Sequence, residues 1–239
     1  MTNFLQVDTT AVAAQQMLEN APVEKTISIW SLITSGGIGG QTIMLAIGIL
    51  LFFALYVYFE RIMAINAASK IDISFMNRIR ENIISGKIDS AKMICAQTNS
   101  PVARLIEKGI SRIGKPLEDI NTAIENAGKL EIYKLEKNVS MLATISGAGP
   151  MLGFLGTVIG MIVAFDQIES AGSMEPSLVA GGIKVALLTT VFGLIVAMIL
   201  QVFYNYITAK IDSIVNDMED ASISLVDMLS DYFKEKLNK

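Results

Sequence analysis

Three apolar stretches constrain this chain more than anything else in it. Residues 41–59 (QTIMLAIGILLFFALYVYF) and 138–165 (NVSMLATISGAGPMLGFLGTVIGMIVAF) carry no charge, and residues 177–209 carry only Lys184. A helix of about 20 apolar residues crosses a hydrocarbon core of roughly 30 Å, so each stretch is long enough to span a membrane. With 52% hydrophobic side chains in 239 residues, the chain is too short to hide such stretches in a second soluble core. The expectation is an all-α integral membrane protein with three transmembrane helices.

Basic residues predict the orientation. The segment 61–137 holds thirteen Lys and Arg, whereas 166–176 holds Asp166, Glu169 and Glu175 and no base. Lys and Arg near span ends mark the cytoplasmic side. The predicted organisation is therefore a periplasmic segment 1–40, a first span 41–60, a cytoplasmic helical domain 61–137, a second span 138–165, a periplasmic loop 166–176, a third span 177–209 and a cytoplasmic helix 210–239. Residues 1–40 contain Lys25 as their only base and no basic segment leading into an apolar run, which predicts a translocated tail and not a cleaved signal peptide.

Between the first two spans the pattern predicts short helices. Asp72 or Ser74 is placed to cap one ending near Gly86, Asp89 to cap a second, and Ser100 followed by Pro101 to open a third that stops at Gly114. From Pro116 onward Leu117, Ile120, Ile124, Ala127, Leu135, Val139 and Leu142 recur at helical steps, which predicts one helix running into the second span. The third span is likewise predicted to continue, with Ile211, Ile214, Met218, Leu225, Leu229 and Phe233 on one face. These extensions form a cytoplasmic stalk.

Little here suggests catalysis. There is no histidine, and the one cysteine, Cys95, reads as a small buried apolar residue, so neither hydrolytic nor metal chemistry is expected, and no cofactor. Residues 109–115 match GxxxxGK, but Pro116 stands where a phosphate-binding loop needs Ser or Thr for magnesium, and no strand precedes it. A glycine-stopped helix followed by a new helix start explains the segment better.

Small residues mark the second and third spans. Ser146, Gly149, Gly153, Gly156 and Gly160 form a stripe on one helix face, with Pro150 beside it. Gly182, Ala186, Thr189, Gly193 and Ala197 form another. Such stripes let helices approach closely in lipid. Stripes and amphipathic stalks together predict faces that a single chain leaves uncovered, and hence an oligomer. Thr157 and Thr190 lie deep in these two spans at matching depth. Either could line an ion path or bond its own helix backbone, and the residues alone leave both readings open.

The stretches Leu142–Met161, with Pro150-x-x-Gly-x-x-Gly-Thr-Val-x-Gly160 at their heart, Gly182–Leu194 and Tyr204-Asn205 resemble the ExbB/TolQ branch of the MotA/TolQ/ExbB proton-channel family. The resemblance covers about residues 140–210 closely and the three-span plan over 41–239. It implies a ring, typically of five copies, around the single-span helices of an ExbD- or TolR-like partner. Proton flow there drives a TonB- or TolA-like protein, with lipid around the spans and no nucleic acid involved. Thr157 and Thr190 fall on the family's pore-lining threonines, while Gly149, Pro150, Gly153, Gly156, Gly160 and Gly193 are expected to pack helices.

One departure matters. Where ExbB and TolQ proteins commonly carry glutamate in a Gly-Ile-Ala-Glu-Ala-Leu segment, this chain has Gly182-Ile-Lys-Val-Ala-Leu187, with Val185 at that position. The protonatable acid is then expected from an aspartate of the partner. Lys184, a few residues from the outer loop, is better placed to snorkel to the interface than to set the pore potential. Two alternatives remain. A MotA-like stator is disfavoured because that branch has four spans, and a non-conducting helical scaffold stays open because the glutamate is missing.

Overall fold

The computed structural model describes residues 37–69, 74–172 and 176–237; residues 1–36 of the predicted N-terminal segment and Asp72 lie outside them, while residues 37–40 already belong to the first helix. Among the described residues the chain is helical throughout, in the order α1 (Gly37–Ala68), α2 (Phe75–Ile84), α3 (Ile88–Gln97), α4 (Pro101–Ile110), α5 (Leu117–Glu136), α6 (Val139–Ala171) and α7 (Pro176–Leu237). Three of them, α1, α6 and α7, hold segments long and apolar enough to cross a membrane.

The chain forms two layers. In the apolar layer α6 and α7 run antiparallel in close contact, and α1 lies against both. Gly40 of α1 sits against Val185 of α7, and eighteen residues further along both helices Tyr58 stacks on Phe203 with ring centroids 4.2 Å apart. α1 and α7 are therefore parallel. Phe52 and Tyr56 of α1, Met151 and Phe154 of α6 and Met198 of α7 point outward and stay exposed. These are the side chains that a hydrocarbon solvent accommodates.

In the second layer α2 to α5 wrap the far part of α7, which at 62 residues is about 90 Å long and outruns the bilayer. The amphipathic face predicted on that extension is buried here, with Ile211, Ile214, Met218, Leu225 and Leu229 packed in one core with Phe75, Ile79, Ile106 and Ile124. Each such side chain stabilises the fold by about 1.5–3 kcal/mol through the apolar area it removes from water. α4 is the centre of this layer and is buried on most sides, so Gly109 has a packing role. A Cβ there would stand 2.6 Å from Leu225 Cδ2 and 2.9 Å from Ile124 Cδ1. The GxxxxGK segment thus begins inside a packed helix and ends in a turn where Gly114 takes φ 97°.

Glu131 of α5 is buried against α4. It accepts hydrogen bonds from Arg104 Nε and Nη2 at 2.9 and 2.6 Å, and from Lys134 Nζ at 2.7 Å. Burial raises the pKa of its carboxyl, but the hydrogen bonds and charges of Arg104 and Lys134 outweigh that and hold it below the usual carboxylate range.

Several local expectations need correction. The helix starting after Pro116 does not run into the second span: it ends at Glu136, and Asn138 adopts a left-handed conformation with φ 64° before α6 begins. Asparagine tolerates that region, and because Leu135, Val139 and Leu142 are all buried, the apolar rhythm passes through the break unmarked. Asp89 lies in the first turn of α3 and Lys87 holds the cap position. Ser74 and Ser100 do precede α2 and α4, but neither side chain caps its helix, and α4 ends at Ile110, before Gly114. α6 extends to Ala171, so Asp166 and Glu169 are helical and not in a loop.

Candidate functional site

The α6/α7 contact is built on the absence of side chains. A Cβ on Gly153 would stand 3.0 Å from Thr190 Cα and 3.2 Å from Thr189 O. One on Gly149 would stand 3.0 Å from Gly193 O, and one on Gly160 would stand 2.8 Å from Ala186 Cβ. Gly156 lies against the Thr189 side chain, Gly193 against the Gly149 carbonyl, and Gly182 against Ala164. The two small-residue stripes therefore cover each other within one chain. This corrects the expectation that they leave faces open for other copies: a short connection makes the helices antiparallel neighbours, which brings the stripes face to face. The buried face of the α7 stalk corrects the same expectation.

Hydroxyls cross this contact. Thr190 Oγ1 donates to Gly153 O at 2.9 Å, tying the third span to the second. Thr189, fully buried, donates to Ala186 O at 2.7 Å and lies 3.4 Å from Gly153 O. Thr157 donates to Phe154 O of its own helix at 2.6 Å. No hydrogen bond joins Thr157 to Thr190 among the described residues. Both are partly exposed, and each hydroxyl proton is committed to a carbonyl, so each oxygen retains acceptor capacity toward water or a donor from outside the chain.

A second polar cluster lies nearer the α7 stalk. Ser146 Oγ is within hydrogen-bond reach of Ala197 O at 3.0 Å and Gln201 Oε1 at 3.1 Å, and Gln201 Nε2 donates to Asn205 Oδ1 at 3.2 Å. Pro150 sits half-buried inside α6 one turn beyond Ser146, where its missing N–H leaves the Ser146 carbonyl without its usual helical donor. The sequence reading places Thr189 only in the small-residue stripe of the third span and gives Gln201 no role. The eleven-residue step from Thr190 to Gln201, three turns along one line of α7, is the signal that marks the latter.

Lys184 is exposed and has no hydrogen bond or ion pair among the described residues. Val185 is 8% exposed and packs on α1, where a Cβ on Gly40 would come within 3.0 Å of Val185 Cγ1. Cys95 is buried, and its thiol is pushed up to about 12 by desolvation and by the Glu107 charge, which makes it a poor nucleophile.

Three apolar helices, two of them tied by glycine contacts and threonine hydrogen bonds, define a multi-pass helical membrane protein with polar groups inside its spans. Residues 97–220, more than half of the chain, match the MotA/TolQ/ExbB proton channel family, and the chain belongs to that family. Its relatives place it in the ExbB/TolQ branch. It is 30% identical over 193 residues to a biopolymer transport protein ExbB homolog of Methanothermobacter thermautotrophicus, covering 80% of this chain and 67% of that one. It is 26% identical over 199 residues to the Tol-Pal system protein TolQ of Pseudomonas aeruginosa, covering 79% and 86%. With the biopolymer transport protein ExbB of Xanthomonas campestris pv. campestris the identity is 33% over 110 residues, covering 43% and 44%. The family is one of channels and not of enzymes.

Proposed function

We propose that this chain is the ExbB/TolQ-like subunit of an inner-membrane motor driven by the proton-motive force. In this reading it forms a ring of five copies around an ExbD- or TolR-like partner and energises a TonB- or TolA-like protein. The N-terminus is periplasmic and the α2–α5 layer cytoplasmic, in keeping with the thirteen basic residues of 61–137.

The observation that carries the proposal is the state of the two threonines. Thr157 and Thr190 spend their protons on Phe154 O and Gly153 O, which leaves two oxygens as acceptors in a wall without a carboxylate. Such a wall solvates a proton carried by water or by a partner's acid but holds none itself. Lys184 snorkels to the outer interface, and Val185, packed on α1, takes no part in proton transfer.

The test is proton uptake into vesicles containing the complete complex. Thr157→Val with Thr190→Val keeps the shape and removes both hydroxyls, and is expected to abolish uptake while the ring stays intact. Thr190→Ser, which can still bond Gly153 O, is expected to retain most of it. A double valine variant that assembles and conducts fully would return both threonines to a packing role.

A further inference from the structure

We infer that Gln201, positioned by Ser146 and joined to Asn205, lines the cytoplasmic half of the same ion path and holds its water between the threonine level and the stalk. The inference rests on the proposed proton-conducting role and extends it to residues that role does not use.

The argument begins with helical geometry. Ser146 and Thr157 are eleven residues apart on α6, and Thr190 and Gln201 are eleven apart on α7. Eleven residues are about three turns, so each pair stands on one line of its helix, separated by about 16 Å along the axis. Because α6 and α7 are antiparallel, Ser146 falls at the level of Ala197 and Gln201, just as Gly153 falls at the level of Thr190. The two helices thus present matching polar positions at two depths on one side of their contact. Asn205 continues the line by one further turn, and Thr208 stands five turns from Thr190.

Chemistry supports a wet surface there. Gln201 and Asn205 are both exposed in the single chain, yet each lies in an otherwise apolar stretch where a primary amide facing hydrocarbon would lose its hydration. Their mutual bond at 3.2 Å uses one N–H of Gln201 and one acceptor of Asn205. The second N–H of Gln201 and both N–H groups of Asn205 have no partner among the described residues. Ser146 has one proton and two acceptors in reach, so it either bonds Ala197 O or holds the amide oxygen of Gln201 toward α6. An amide held in this way offers water both a donor and an acceptor. Leu194, between the two polar levels on the same line, is about half exposed and leaves a gap that water and not side chains must bridge.

Water at Gln201 can be read directly in the full-length protein. Single cysteines at 201, 205, 199 and 195 in a Cys95→Ala background are reacted, in lipid vesicles, with a small cationic methanethiosulfonate, which is attacked by thiolates and therefore needs water. Ile195 and Ile199 are exposed and lie about 120° and 160° around α7 from Gln201, and serve as controls. Gln201→Cys and Asn205→Cys are expected to react at least about tenfold faster than the controls. Equal rates would overturn the inference. In the complete complex, Gln201→Met is expected to reduce proton uptake at least about fivefold with the assembly intact, and Gln201→Glu, which keeps a polar group in contact with water, to retain more of it. If the threonine variants abolish uptake and Gln201→Met conducts fully, the inference fails and the proposed function stands. If all of them conduct fully, the proposed function itself fails.

Discussion

Adding one methyl group at Gly153 tests the architecture of the α6/α7 contact. An alanine Cβ there would stand 3.0 Å from Thr190 Cα, 3.2 Å from Thr189 O and 3.3 Å from Thr190 O. All three neighbours are backbone atoms, so no rotamer change can relieve the contact, and α7 must retreat by roughly 0.5–1 Å to restore carbon–carbon distances near 3.5–4.0 Å. The Thr190–Gly153 hydrogen bond, now 2.9 Å, would then stretch to the limit of useful geometry. Overpacking of this kind costs about 1–3 kcal/mol, and an interhelical hydrogen bond in a membrane contributes about 0.6 kcal/mol more. Gly147, on the same helix, is the control because a Cβ there meets nothing within 4 Å. Both substitutions gain the same helix propensity, so the difference between Gly153→Ala and Gly147→Ala is expected to be about 2–4 kcal/mol. Reversible unfolding in mixed micelles of increasing SDS content, followed by circular dichroism, measures it. The contact lies within one chain, so the difference should be independent of protein concentration. If the two variants unfold at the same SDS fraction, the backbones are not in close approach and the reasoning is wrong.

Three further outcomes are expected. Glu131→Gln should destabilise the α2–α5 layer by about 1–3 kcal/mol at pH 7, the cost of weakening a buried charge-assisted network. Its folded pKa is depressed, so the wild-type advantage is fully present above the ordinary glutamate range and is lost as pH falls through the folded value; a gap that persisted in strong acid would show that the charge is not its source. For topology, the buried, high-pKa Cys95 is a poor reporter; in a Cys95→Ala background, the exposed sites Met93→Cys and Ser170→Cys should instead label with an impermeant reagent only after lysis and in intact spheroplasts, respectively. The opposite pattern would invert the orientation. Val185→Glu should not raise proton uptake and should lower stability, because it places a carboxylate in the packed α1/α7 contact where Gly40 leaves room only for valine; increased uptake would show that the position faces water.

Local sequence determined what depends on solvent and on neighbours a few residues away. The three spans are legible because about 20 apolar residues satisfy hydrocarbon whatever surrounds them. The glycine stripes and the Pro150–Gly160 motif are legible because helical periodicity fixes which residues share a face. Sequence could not say what each face meets. The stripes on α6 and α7 meet each other, Val185 meets Gly40, Arg104 meets a glutamate 27 residues away, and Ser146 meets Gln201 across 55 residues of chain. Each of these pairings depends on how whole helices are placed, and periodicity carries no information about that. The break at Asn138 leaves no mark in the sequence pattern for a related reason. One left-handed residue redirects the chain while Leu135, Val139 and Leu142 still reach a shared core, so only the tertiary structure distinguishes one long helix from two.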